Sequence, residues 1–278
     1  MVQLIRDLSS WIVFIYMDIS KKRLNGEFFE MRVTMLDLFK AECLKLKGTK
    51  ILWLSVMILV LTIVLEFYSY ADSPKYSIDR DGWNDYFMSV VILINFLTGY
   101  MSYYILTCYI YAREYQEKTH IALFSNPVRR SRLYFSKLLV IYMYIAVSLL
   151  MAFVLSALLG MFITARPLTF EVVMYQLGIF AKMIVMHAML IPIITFFAIR
   201  WKKFVPAIMG MCTVMCLNFV LINIPGNTFY PWTVPLLFSP HGDMGRTFTY
   251  VPGGIISICF IFVLGLFLVL RSYVRIEK

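Results

Sequence analysis

REYQEKTHIALFSNPVRRSRLYFSK, residues Arg113–Lys137, is the polar stretch from which the fold is read, because strongly apolar runs enclose it on both sides. It holds six basic residues (Arg113, Lys118, Arg129, Arg130, Arg132, Lys137) against two acidic ones, Glu114 and Glu117. Lys and Arg in short loops resist being moved across a membrane, so this excess marks a loop facing the cytoplasm. Glu114 to Phe124 can form a short helix with mixed charge at its start and Ile121, Leu123 and Phe124 toward its end. Asn126 before Pro127 stops it, since a residue preceding proline is steered away from the helical region. An apolar end would have no use on a merely solvated loop.

The chain is 61% hydrophobic and only 15% charged, against an apolar share of about 45–50% in soluble domains. It therefore reads as an all-α integral membrane protein. The formal charge of +10 does not point to nucleic acid, because the basic residues sit at the edges of apolar runs, where headgroups and orientation account for them. Of the five cysteines, Cys108, Cys212, Cys216 and Cys259 lie inside apolar runs and Cys43 in a basic segment, so no disulfide on an outer loop is expected. Cys212 and Cys216, one turn apart with no His or carboxylate beside them, read as small apolar residues of a buried helix rather than a metal pair.

Six apolar runs are long enough to cross a bilayer, which needs about twenty residues: about 51–68, 87–112, 138–164, 172–199, 204–222 and 253–270. Residues 1–30 form an N-terminal extension whose apolar piece, Leu8–Met17, is too short to span and has no cleavage site after it. Met31 and Met35 are alternative starts of translation, and 31–278 then forms one membrane domain. In Leu36–Lys47 the apolar positions Leu36, Phe39, Cys43 and Leu46 recur at three and four residues, as in an amphipathic helix lying on the inner leaflet. Segments assigned inside carry 21 of the 26 basic residues and those assigned outside carry four, placing both termini in the cytoplasm. Asn223–Pro252 holds five of the ten prolines, and Trp232–Phe238 is apolar enough to dip back into the outer leaflet, which irregular backbone does only where protein or a wet cavity covers it. Its His241 and Asp243 flank a glycine and read as a turn.

Several side chains are singled out within the spans. Ser148, Ala152, Ser156 and Gly160 repeat every four residues, a seam of small side chains that lets another helix approach closely. Glu66 falls in the last turn of the first span, where a carboxylate can reach the interface. Tyr103, Tyr104, Tyr109 and Tyr111 read as an aromatic belt at headgroup level. Asn95 in the second span, with Lys182 and His187 in the fourth, are the intramembrane polar candidates for a translocation path. Lys182 has two readings: deep in the membrane if the stretch from Val172 spans, or marking the edge if the span begins near Met183, a reading slightly preferred because Met183–Ile199 is already about the shortest workable span. His187 is more often a hydrogen-bonded packing residue than a ligand, and Pro192 marks a kink. No phosphate-binding loop, zinc motif or nucleophile elbow occurs, so no catalytic or metal-binding residue is assigned and the chain has no visible means of hydrolysing ATP.

The central loop resembles that of ABC-2 type permeases, the six-span membrane subunits of ATP-driven exporters. Arg113, Glu114, Thr119, Pro127, Val128, Arg129 and Lys137 fall at matching places, and Lys118 departs from the glycine usual there. Pro231–Pro235 is similar to permeases of bacitracin and lantibiotic export or immunity systems. The resemblance implies that the loop between spans two and three is a cytoplasmic coupling helix seated in a separate ATPase subunit, with Arg113, Glu114, Glu117, Thr119, Leu123, Phe124, Pro127 and Arg129 as coupling residues. It also implies a second permease copy or a homologous permease as partner, ATP and Mg bound by the ATPase rather than by this chain, and location in a bacterial cytoplasmic membrane. The function expected is export, or removal from the membrane, of an amphipathic substrate such as a peptide antibiotic. An intramembrane enzyme using Lys182 or His187, and a sensor or anchor without transport, are the other classes weighed.

Overall fold

A computed structural model describes residues 34–71, 82–116, 130–164, 167–221, 224, 229–237 and 251–275. The chain divides into two units, Met1–Thr34 and Met35–Lys278, and apart from Thr34 every described residue belongs to the second. The expectation for residues 1–30 therefore lies outside the described residues, as does that for His241 and Asp243.

The described residues are helical and contain six helices long and apolar enough to cross a membrane. Helix α1 (Met35–Leu46) precedes α2 (Lys50–Ala71), the first span. Gly48 sits between them at φ 83°, a backbone setting that glycine adopts without strain. The second span is α3 (Trp83–Leu93), a π-helical segment (Ile94–Tyr103) and α4 (Tyr104–Gln116) in one continuous run. Then come α5 (Arg130–Ile163), α6 (Phe170–Trp201), α7 (Phe204–Leu221), the short α8 (Val234–Leu237) and α9 (Val251–Arg275). At the start of α6 the Thr169 hydroxyl accepts from the Val172 amide, an N-cap with Glu171 in the positive first turn. At its end Lys202 turns left-handed at φ 54°.

Several of these helices exceed the thickness of a bilayer. At 1.5 Å per residue, α5 with 34 residues is about 51 Å long, against a hydrocarbon core of about 30 Å. The apolar windows seen in sequence mark only the middles of such helices, which continue past them because nothing in the flanking residues breaks the backbone hydrogen bonding.

The second span is the most enclosed and the fifth the least. Its side chains supply much of an aromatic core, in which Tyr86, Phe87, Tyr103, Tyr104, Tyr134 and Phe180 are fully buried. This corrects the aromatic belt: Tyr103, Tyr104 and Tyr111 face the bundle, and of the four tyrosines only Tyr109 is partly open. Cys212 and Cys216 need the opposite correction, because they are exposed on α7. Both errors have one cause, since hydropathy along a span cannot distinguish the protein-facing side from the lipid-facing side.

The fourth and sixth spans meet backbone to backbone. A Cβ on Gly265 would lie 2.5 Å from the Ile193 nitrogen and 2.9 Å from the Pro192 carbonyl carbon, so only glycine allows this approach. Helix α6 runs unbroken through Pro192.

Candidate functional site

Two regions combine polar side chains with deep burial, and the first lies at the end of the bundle where α4 ends and α5 begins. Helix α1 docks on the start of α5. Its partly buried Phe39, Cys43 and Leu46 share a stripe with Glu42, which is buried, while Leu36 is exposed. Glu42 is held by Lys45 at 2.7 Å and by Lys137 at 3.2 Å, and the Lys137 side chain is itself buried to 2% exposure. Burial alone would raise the Glu42 carboxyl, but the charges of Lys137 and Lys45 offset this and hold it below its ordinary value. The helix read as lying on a lipid surface is therefore tied to the base of the third span by a buried ion pair.

Sequence reasoning missed this pair. A signal existed, because Phe39, Glu42, Cys43 and Leu46 fall at three- and four-residue spacing, placing an acid inside the apolar stripe. Lys137 stood among the matching loop residues but carried no role. On α4 the Arg113 guanidinium lies 5.5 Å from the centre of the Tyr109 ring, and Glu114 falls within the same helix. Glu117, Thr119, Leu123, Phe124, Pro127 and Arg129 lie outside the described residues.

The second region is a polar network in mid-bundle, centred on the π-helical segment. Asn95 and His187 meet at 3.0 Å between Oδ1 and Nε2. Asn95 Nδ2 donates to the Val91 carbonyl at 2.8 Å, so its Oδ1 accepts from His187, and the other ring nitrogen of His187 is buried without a partner among the described residues. Gly99 makes room for the ring: a Cβ there would lie 2.5 Å from the imidazole. The Tyr103 ring stands edge-on to His187 at 5.3 Å, and the Ser148 hydroxyl bonds Tyr103 at 3.0 Å. Thr98 donates to Thr62 at 3.1 Å, while Tyr144 bridges Ser102 and Ser55. Asn218 donates to the Tyr100 hydroxyl at 2.7 Å, and that hydroxyl donates to the Trp232 carbonyl, which ties the buried turn at 231–236 to the second span.

Asn95 and His187 are thus brought together, and Lys182 is not. Five residues before His187 on the same helix, Lys182 is exposed on another face. The helix is continuous from Phe170, so Met183 marks no helix start. Ser148, Ala152, Ser156 and Gly160 are all buried, and a Cβ side-chain branch at Gly160 would press on Trp83 and Tyr86. Glu66 requires a correction: at 9% exposure it turns into the bundle, in a buried stripe with Ser55, Leu59, Thr62, Ile63 and Tyr70, instead of reaching the interface.

Six apolar helices, mid-bundle polar residues and a polar loop between two over-long spans define a multi-pass membrane protein with an interior able to hold polar groups. The family model described as ABC-2 family transporter protein matches residues 38–223, taking in most of α1, the first five spans and the central loop. The chain belongs to that family. It is also similar to the bacitracin transport permease protein BCRB of Bacillus licheniformis, with 25% identity over 163 residues, 59% of this chain and 78% of that protein.

Proposed function

We propose that this transporter permease is the membrane subunit of an ATP-driven exporter, energised through its central loop by a separate ATPase. The observation that carries this is the family match over residues 38–223, which spans that loop and the helices on either side. A permease without a nucleotide site must receive free energy through physical contact. The segment between spans four and five, Arg200 to Lys203, barely turns the chain, which leaves the central loop as the larger contact.

Both termini lie in the cytoplasm on the 21-to-four distribution of basic residues. ATP and Mg are held by the ATPase, and a second permease copy or a homologous permease completes the transporter. The substrate is amphipathic, with a peptide antibiotic as the example that the relative's name supplies. The Asn95–His187 network is the polar interior along which such a substrate moves. An intramembrane enzyme and a non-transporting sensor or anchor have no observation among the described residues in their favour.

The test is co-purification in mild detergent with the ATPase subunit. The parent protein retains it, whereas Glu114→Lys combined with Phe124→Ala inserts normally and loses it. Retention of both the ATPase and transport by the double variant refutes coupling through this loop.

A further inference from the structure

Between the fifth and sixth spans, the turn 229–237 enters the bundle and closes on itself. The Thr233, Val234 and Leu236 amides donate to the Tyr230, Pro231 and Thr233 carbonyls at 3.1, 3.3 and 3.1 Å, and the Thr233 hydroxyl donates to the Tyr230 carbonyl at 2.7 Å. Pro231 and Pro235 bring no N–H into the bundle. Irregular backbone survives at such depth only where protein covers it, and Thr233 and Val234 are fully buried while Phe229 is 64% exposed. The short helix α8 packs on α6 and α9. The turn is thus a self-bonded unit seated among the helices.

Tyr100 fastens this unit to the second span. Its hydroxyl donates to the Trp232 carbonyl and accepts from Asn218 Nδ2 at 2.7 Å. Tyr230 adds a longer bond, from its hydroxyl to the Val214 carbonyl at 3.4 Å. Asn218 stands three residues from the end of α7, about 4.5 Å along the helix axis. Tyr100 itself comes five residues after Asn95 and three before Tyr103, whose ring meets His187. The fastening therefore belongs to the same π-helical segment that carries the polar interior. Both of its bonds converge on one hydroxyl, so breaking them frees the turn without unwinding a helix.

We propose that the turn 229–237 is the outer closure of the polar interior and that the Tyr100 hydroxyl is its latch. This deepens the exporter reading and takes the path and the orientation from it, while the closure itself needs no ATPase. With the Tyr100 bonds made, the turn shuts the interior from outside. With them broken, the turn lifts as a unit and the π-helical segment opens to water on that side.

The test is the reaction of single cysteines, in the cysteine-free chain, with an impermeant methanethiosulfonate added to intact cells. Cysteines at Val234, at Leu236 as a second reporter, and at Thr98 in the polar interior, all buried positions, react slowly, whereas one at Phe229 reacts fast. Tyr100→Phe speeds the reaction at Val234 and Thr98 about five- to hundred-fold, the range for losing two neutral hydrogen bonds, and Asn218→Leu speeds it by a smaller factor. Tyr111→Phe, which removes a buried hydroxyl bonded to the Tyr134 carbonyl, changes neither rate. Rates unchanged in Tyr100→Phe, or raised equally by Tyr111→Phe, overturn the latch. Fast reaction at Val234 and Leu236 in the parent, or a gain at Val234 with none at Thr98, overturns the closure. If the closure fails while the ATPase still co-purifies, only the closure falls; if it holds and the ATPase does not co-purify, only the exporter reading falls.

Discussion

Replacing Lys137 by Met removes one of the two cations that hold Glu42 in its buried position. What remains is Lys45, whose side chain is 41% exposed against 2% for Lys137, so its attraction is more screened by water. Breaking a buried pair from one side costs about 3–5 kcal/mol because a charge is stranded, and the surviving Lys45 contact sets the expectation near 3 kcal/mol. For a chain of this size that corresponds to a fall in Tm of about 6–12 °C. Glu42→Gln, which removes the charge that both lysines face, lowers Tm by a similar amount. Glu42→Leu with Lys137→Met replaces the pair by apolar groups and recovers most of the loss. The assay is thermal unfolding of the purified protein in detergent, run as a double-mutant cycle. The pH dependence has a definite sign: a carboxyl lowered in the folded state stabilises above its ordinary value of 4.5 and loses that contribution as pH falls through the lowered value. The parent therefore loses stability on acidification below about pH 4.5 by an amount that Glu42→Gln does not show. Single variants within about 0.5 kcal/mol of the parent, or a double variant as unstable as the sum of the singles, refute the clamp.

Two further outcomes are expected. Gly160→Leu and Gly265→Ala both overpack helix contacts and lower stability by about 1–3 kcal/mol, whereas Gly178→Ala, with open space around it, does not; equal Tm values for all three remove the close approaches from the account. Single cysteines at Ser73 and Thr228 in a cysteine-free background label with an impermeant maleimide from outside, and one at Ser125 does not; external labelling at Ser125 reverses the proposed orientation.

The helical spans were legible in sequence because each carries a run of apolar residues long enough for a bilayer, and no soluble fold needs six of them. The faces of those spans were not. Tyr103, Tyr104 and Glu66 read as interfacial and Glu42 carried no role, because a polar or amphipathic side chain near the end of an apolar run has the same hydropathy whether it points to headgroups or to protein. Periodicity held the missing information. Ser55, Thr62 and Glu66 share one face of α2, and in lipid the polar face of a helix is the one that other helices cover. Asn95 and His187 were flagged as polar, but their meeting depends on the register of two spans and on Gly99, which no local pattern specifies. The small-residue seam was readable from spacing alone, while its partners Trp83 and Tyr86 were not.

Contact between the central loop and an ATPase subunit is the claim on which the function depends. It is tested most directly by crosslinking in native membranes from a single cysteine at Ser125, using a short bifunctional maleimide. The account predicts an adduct between this chain and the ATPase subunit, formed from Ser125 and absent from a cysteine at Ser73. An ATPase that co-purifies yet forms no adduct from Ser125, while crosslinking from Lys203 or the C-terminus, contradicts it.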